Sequence, residues 1–191
     1  MSTEEKLALP TVWLSVSFDA DQAGAQLVWL VSENRENLYE PYGPFAGSLR
    51  LPKNCHLSVE VRGYGSETLL DFAVESAVLV TVPTSLQCLP SPFAGQDVAV
   101  TQLGPFAPVK AILFDPHLNR AYGITAITDP LDIGNEDGGW NLSMVLTVSI
   151  RTRTIDSDAI TVSRRVFRFD PESYVGNGTR PEPGPRESRP R

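Results

Sequence analysis

The densest group of reactive side chains in this chain is the segment Asp129-Pro-Leu-Asp132-Ile-Gly-Asn135-Glu136-Asp137-Gly138-Gly139. It gathers oxygen donors and glycine in one loop, the combination that a hard cation such as calcium needs. Asp129, Asp132, Asn135 and Asp137 are the candidate ligands. The segment lacks the Asp-x-Asp-x-Asp-Gly spacing of an EF-hand and has no glutamate at the distal offset, so further donors would have to converge from elsewhere. An acidic, hydrated turn is the simpler reading.

Aromatic residues offer a second chemistry. Tyr39, Tyr42, Tyr64 and Trp140, with Trp13 and Trp29, would form a sugar-stacking platform if the fold collected them on one face or in one set of loops. The commoner role for such residues is to fill the core, and Trp29, in the apolar run Leu27 to Val31, is expected there.

Catalysis finds little support. His56 and His117 are the two histidines, so any nucleophile–histidine mechanism must use one of them. Cys55 and His56 are neighbours in a predicted strand and point to opposite faces, which prevents them from working as a pair. His117 sits in the turn sequence Asp115-Pro116-His117-Leu118-Asn119. The cysteines and histidines are too scattered for a zinc site, and no dinucleotide-binding, phosphate-loop or nucleophile-elbow pattern occurs. The expectation is a protein that is not an enzyme and has no cofactor, with calcium as the one ion to consider.

The acidic residues number 23 and the basic ones 16, giving a formal charge of -7. Such a body repels polyanions, which argues against nucleic acid as a partner. The N-terminal Met1-Ser2-Thr3-Glu4-Glu5-Lys6 is acidic where a secretory leader is basic, and no apolar run approaches a membrane-spanning length. A soluble, cytoplasmic protein is expected. There Cys55 and Cys88 are read as thiols rather than a disulfide.

The elements that would carry these residues read as strands. Leu142, Met144, Leu146, Val148 and Ile150 alternate with Ser143, Thr147, Ser149 and Arg151, the period of a sheet with one dry face. A polar turn at Ile155 to Asp158 leads into a second run, Ala159 to Phe169. Its apolar parity changes between Val162 and Phe167, so a β-bulge near Arg164-Arg165 is predicted. Val12 to Phe18 alternates in the same way, and Leu27 to Val31 reads as a strand buried on both faces or one covered by a loop. Leu57 to Val61 and Leu69 to Val82, joined through Gly63-Tyr64-Gly65-Ser66, read as a hairpin. Pro83 to Gly95 reads as a crossover or a covered edge, and shorter strands follow at Val98 to Leu103, Val109 to Phe114 and Tyr122 to Thr128.

Together these predict an all-β, antiparallel β-sandwich of jelly-roll or immunoglobulin-like type with about 8–10 strands. Residues 1–9 form a flexible N-terminus, 10–172 the sandwich, and 173–191 a disordered tail rich in proline and arginine. The tail is mildly basic: Gly176 to Arg191 holds four arginines against two glutamates, with no large apolar residue to anchor it.

The stretch Leu142-Ser-Met-Val-Leu-Thr-Val-Ser-Ile150, then Arg165-Val-Phe-Arg-Phe-Asp170-Pro171-Glu172, resembles the end of the bacterial AidA/PixA inclusion-body protein family, where a strand closes with an aromatic followed by Asp-Pro. Leu51 to Val61 and Val78 to Val82 resemble that family's central hairpin. The aspartate-rich N-terminal strand and the methionine richness of some members are missing. The resemblance implies a compact bacterial β-sandwich without established catalysis that self-associates, and it transfers no functional residue. Self-assembly as a homo-oligomer is therefore the leading expectation, and a calcium-assisted carbohydrate-binding, lectin-like module with a glycan partner is the alternative.

Overall fold

Strands that alternate apolar and polar residues can dry one face only by pressing it against a second sheet, and that is how this chain folds. The computed structural model describes residues 9–33, 36–37, 49–83, 86–109, 111–155, 157–169 and 172–175. Within them run β1 (Thr11–Asp19), β2 (Val28–Glu33), β3 (Glu36–Asn37), β4 (Leu49–Leu51) and β5 (His56–Gly65). Next come β6 (Leu69–Pro83), β7 (Val100–Leu103), β8 (Leu113–Asp115) and β9 (Arg120–Ala126). The last four are β10 (Leu131–Asp132), β11 (Gly138–Arg153), β12 (Ile160–Phe169) and β13 (Glu172–Val175). No helix among the described residues is long and apolar enough to cross a membrane.

The first sheet has the order β3-β2-β1-β5-β9-β8, with β10 also on β5; the second has the order β4-β13-β11-β6-β7, with β12 also on β11. The expected β-sandwich is therefore the fold, and most ladders are antiparallel. β1 with β5 and β13 with β4 are parallel pairs. β11, at 16 residues, is long enough to pair with β13 through Gly138 to Asn141 and with β12 through Met144 to Arg153.

The core gathers around three rings. Phe18 from the first sheet stacks on Phe167 at a centroid distance of 4.8 Å and meets Phe72 edge-on at 5.1 Å. Room for them comes from Gly63 and Gly123, which face each other across β5 and β9. A Cβ on Gly63 would stand 2.6 Å from Phe72 and 2.8 Å from Phe18, and one on Gly123 would stand 2.7 Å from Ile112. At the margin of this cluster Arg165 lies 4.9 Å over the Phe167 ring and donates to the carbonyls of Ala20 and Gly24, tying the second sheet to the β1–β2 turn of the first.

Several expectations need correction. β5 and β6 are not a hairpin: Ser66 to Thr68 carries the chain from one sheet to the other. β2 is dry on one face only, with Leu27 and Val31 buried while Val28 is 71% exposed. No bulge interrupts β12, whose register on β11 runs unbroken from Phe169 opposite Met144 to Ile160 opposite Arg153. Its parity change has another cause. Phe167 and Phe169 face the core, whereas Ile160 and Val162 belong to an outer face that is itself aliphatic.

The irregularities lie instead in β6, where Glu75 and Leu70 are the extra residues opposite β11. Each re-aims the strand, so that Leu69, then Phe72, then Ala77, Leu79 and Thr81 all reach the core. The segment from Pro83 to Gly95 leaves and returns to the same sheet, and on the way Phe93 bridges to Ile133 beside β10. The sandwich also continues past 172, because Ser173 to Val175 pair with β11 and β4. Residues 176–191 lie outside the described residues.

Gly63→Ala is expected to destabilise the fold by about 1–3 kcal/mol through overpacking against Phe72 and Phe18. Thermal unfolding followed by circular dichroism should fall by about 2–4 °C for each kcal/mol lost. Gly24→Ala serves as the neutral reference, because a Cβ at that position would meet nothing within 4 Å.

Candidate functional site

The predicted metal loop forms β10 and the approach to β11, and its donors are engaged one by one. Asp132 holds Nδ1 of His56 at 2.6 Å, Asp137 holds the ammonium of Lys53 at 2.6 Å, and Asn135 accepts from the Asn54 amide at 3.2 Å. Asp129 is exposed on the turn before β10. These contacts clasp the loop to the segment between β4 and β5, where Asn54 adopts a left-handed φ of 51°. Among the described residues no three His, Cys, Asp or Glu side chains are grouped to hold a metal ion. A shallow depression of about 530 Å³ borders the loop, lined by Leu89, Phe93, Gln96, Asp97, Asn135 and Glu136.

The histidines and cysteines stay apart. His56 is on the outer side of β5 and Cys55 is buried beneath it, donating to the carbonyl of Pro52. Cys88 is a second free thiol, and His117 sits in the exposed turn between β8 and β9.

Of the predicted sugar-binding aromatics, Tyr39 and Tyr42 lie outside the described residues. Trp140 is a core side chain, 1% exposed, with its indole N–H donated to the carbonyl of Leu89 at 2.8 Å, so its ring offers no surface for stacking. It belongs to β11, whose alternation sends Trp140 inward along with Leu142 and Met144. Tyr64 is on the outer face of the first sheet, opposite Tyr122 of β9 with ring centroids 6.0 Å apart.

That face carries a polar line along β5. The Ser15 hydroxyl donates to Glu60 Oε1 at 3.3 Å, and Arg62 Nε donates to the same oxygen at 2.6 Å. Partial burial opposes the charge on Arg62. Its hydrogen bond to Glu60, the attraction of that carboxylate and a further hydrogen bond with Tyr64 outweigh this, so the guanidinium holds its proton more tightly than a free arginine. Trp13 stands at one end of the line, level with Ser58, and is 39% exposed; Tyr64 and Tyr122 close the other end. Sequence alone cannot place Trp13 and Tyr122 in this group, because the strand order decides which strands share a face.

The first sheet also exposes aliphatic side chains on its outer face, at Val28, Leu30, Leu113 and Ile124, and the outer face of the second sheet exposes more of them. Val82, Val100, Val145, Ile160, Val162 and Val166 all point outward from β6, β7, β11 and β12, with exposures from 41% at Val145 to 62% at Val162. Three ion pairs interrupt it, Arg151 with Asp71, Arg153 with Asp158 and Arg164 with the bulge residue Glu75. Among the described residues β12, beside it, pairs with β11 alone, and only its end at Arg168 meets other backbone, at Ala25 to Leu27.

In variants that keep a single tryptophan, iodide should quench the fluorescence of Trp13 and leave that of Trp140 nearly untouched. Equal quenching of the two would contradict their placement. No family model matches the chain, and no curated protein or solved structure compared with it matches either.

Proposed function

We propose that this protein is a non-enzymatic, soluble β-sandwich of the bacterial cytoplasm that works by associating with copies of itself through the second sheet. The observation that carries the reading is the outer face of that sheet, where six aliphatic side chains are each more than two-fifths exposed. A solvated sheet face ordinarily carries polar residues, and although Arg151, Arg153 and Thr147 stand opposite Val162, Ile160 and Val166, six exposed aliphatic side chains on one face favour an interaction surface. Branched aliphatic side chains suit close packing against protein.

The edge of β12 supports a second copy as the occupant. Unpaired backbone groups on an edge strand are complementary to the same edge of another molecule related by a two-fold axis, which pairs the two antiparallel. The stretch from Ile160 to Ser163 lies along that edge without a charged side chain, proline or bulge, the devices that blunt exposed edges in other sheets; the arginines of β12 come after it, at Arg164, Arg165 and Arg168. The resemblance of Leu142 to Glu172 to a self-associating inclusion-body family agrees with the same assignment.

Size-exclusion chromatography with light scattering is expected to give a species larger than the 20.9 kDa chain. Val145→Glu and Val162→Glu should each shift it toward monomer by placing charge in the interface, with little change in thermal unfolding because both sites are on the surface. A wild-type chain that stays monomeric at every concentration would overturn the reading.

A further inference from the structure

The outer face of the first sheet has a chemistry of its own, independent of the self-association assigned to the second. Pyranose rings present apolar C–H faces to aromatic side chains and a rim of hydroxyls to fixed hydrogen-bonding groups. Both features are present here. Trp13 and the Tyr64–Tyr122 pair are partly exposed at opposite ends of one face. β1 and β5 are parallel with Trp13 level with Ser58, so Trp13 and Tyr64 are six residues apart along the sheet, about 20 Å at the rise of a strand. That length suits an oligosaccharide rather than a single sugar.

The ground between the aromatics is preorganised. Glu60 is pinned by Ser15 and Arg62, and Arg62 is held in turn by Glu60 and Tyr64, so donors and acceptors are already ordered before a ligand arrives. Glu60 and Arg62 also cancel each other's charge. With a formal charge of -7 over the whole chain, the face favours an uncharged glycan over an acidic one. The geometry points to a binding site for a neutral oligosaccharide laid along β5, with Trp13 and the Tyr64–Tyr122 pair as stacking ends and Glu60–Arg62 reading hydroxyls between them. It needs no metal, and it stands apart from the acidic loop at Asp129 to Asp137.

The test uses cellotetraose, xylotetraose, mannotetraose and maltotetraose as probes, with an oligogalacturonate as the acidic comparison. Isothermal titration calorimetry should detect at least one neutral tetrasaccharide and not the oligogalacturonate. Trp13→Ala and Tyr64→Ala should each weaken that binding roughly tenfold, the usual scale for losing one aromatic contact, while His117→Ala leaves it unchanged. Saturation-transfer NMR on the wild-type protein, irradiating aromatic protons, should mark the same sugar, which keeps the test independent of how well the variants fold. Absence of binding by every neutral probe would overturn the site. So would binding that survives both substitutions, or a change in oligomeric state in Trp13→Ala, which would make this face a protein contact instead.

Discussion

The two sheets can approach closely only because Gly63 and Gly123 stand opposite each other on the inner side of the first one. Neither carries a side chain, and the space is filled by Phe72 reaching across from β6, which meets Phe18 edge-on while Phe18 stacks on Phe167. A β-carbon at either glycine would stand within 3 Å of a neighbouring side chain, closer than protein interiors tolerate. The aromatic contact therefore fixes the separation and the relative position of the layers. Everything on the two outer faces inherits its placement from that contact.

Holding Phe72 in this position constrains β6. A strand of 15 residues with strict alternation could not send Leu69, Phe72, Ala77 and Leu79 to one side, because their spacing mixes odd and even steps. The extra residues Leu70 and Glu75 absorb the mismatch. One of them acquires a second role: Glu75 points outward and holds Arg164 of β12 at 2.6 Å, so the same irregularity that feeds the core also braces the outer face. Arg165 does the complementary work on the inner side. It covers Phe167 and binds carbonyls of the first sheet, closing one margin of the sandwich with a side chain that local alternation alone would assign to a bulge.

The outer faces differ in ways that follow from residue type. The first combines aromatic rings with a hydrogen-bonded line of Ser15, Glu60, Arg62 and Tyr64, where polar groups are fixed and charge is balanced, flanked by the exposed side chains of Val28, Leu30, Leu113 and Ile124. The second offers valines and isoleucine, with its ion pairs already satisfied among themselves. Rigid rings with ordered hydroxyl partners suit a polar ligand, whereas branched aliphatic side chains gain most by excluding water against another protein surface. One small fold thus presents two surfaces with separate demands. The acidic loop is a clasp, since its carboxylates hold His56 and Lys53 and so secure β10 against the start of β5.

Local alternation is enough to establish that the chain is a β-sandwich and which side chains of β1 and β11 are dry, because a period of two is written into neighbouring residues. It fails where neighbours do not decide. Alternation with a bulge would turn Ile160 and Val162 into the core, since nothing in their own strand says that the face they share with Val145 and Val78 is aliphatic yet open to water. Residue type makes Trp140 a candidate surface ring, whereas the alternation of β11 already sends it inward with Leu142 and Met144; what the sequence does not show is the partner of its indole N–H, the Leu89 carbonyl 51 residues away. The pairing of Tyr64 with Tyr122 and the alignment of Trp13 with Ser58 come from strand order, and strand order is set by long-range packing. Which residues alternate is written in the order of the amino acids. Which alternating faces meet is settled by packing across the chain, because burial is a property of what lies opposite a strand and not of the strand.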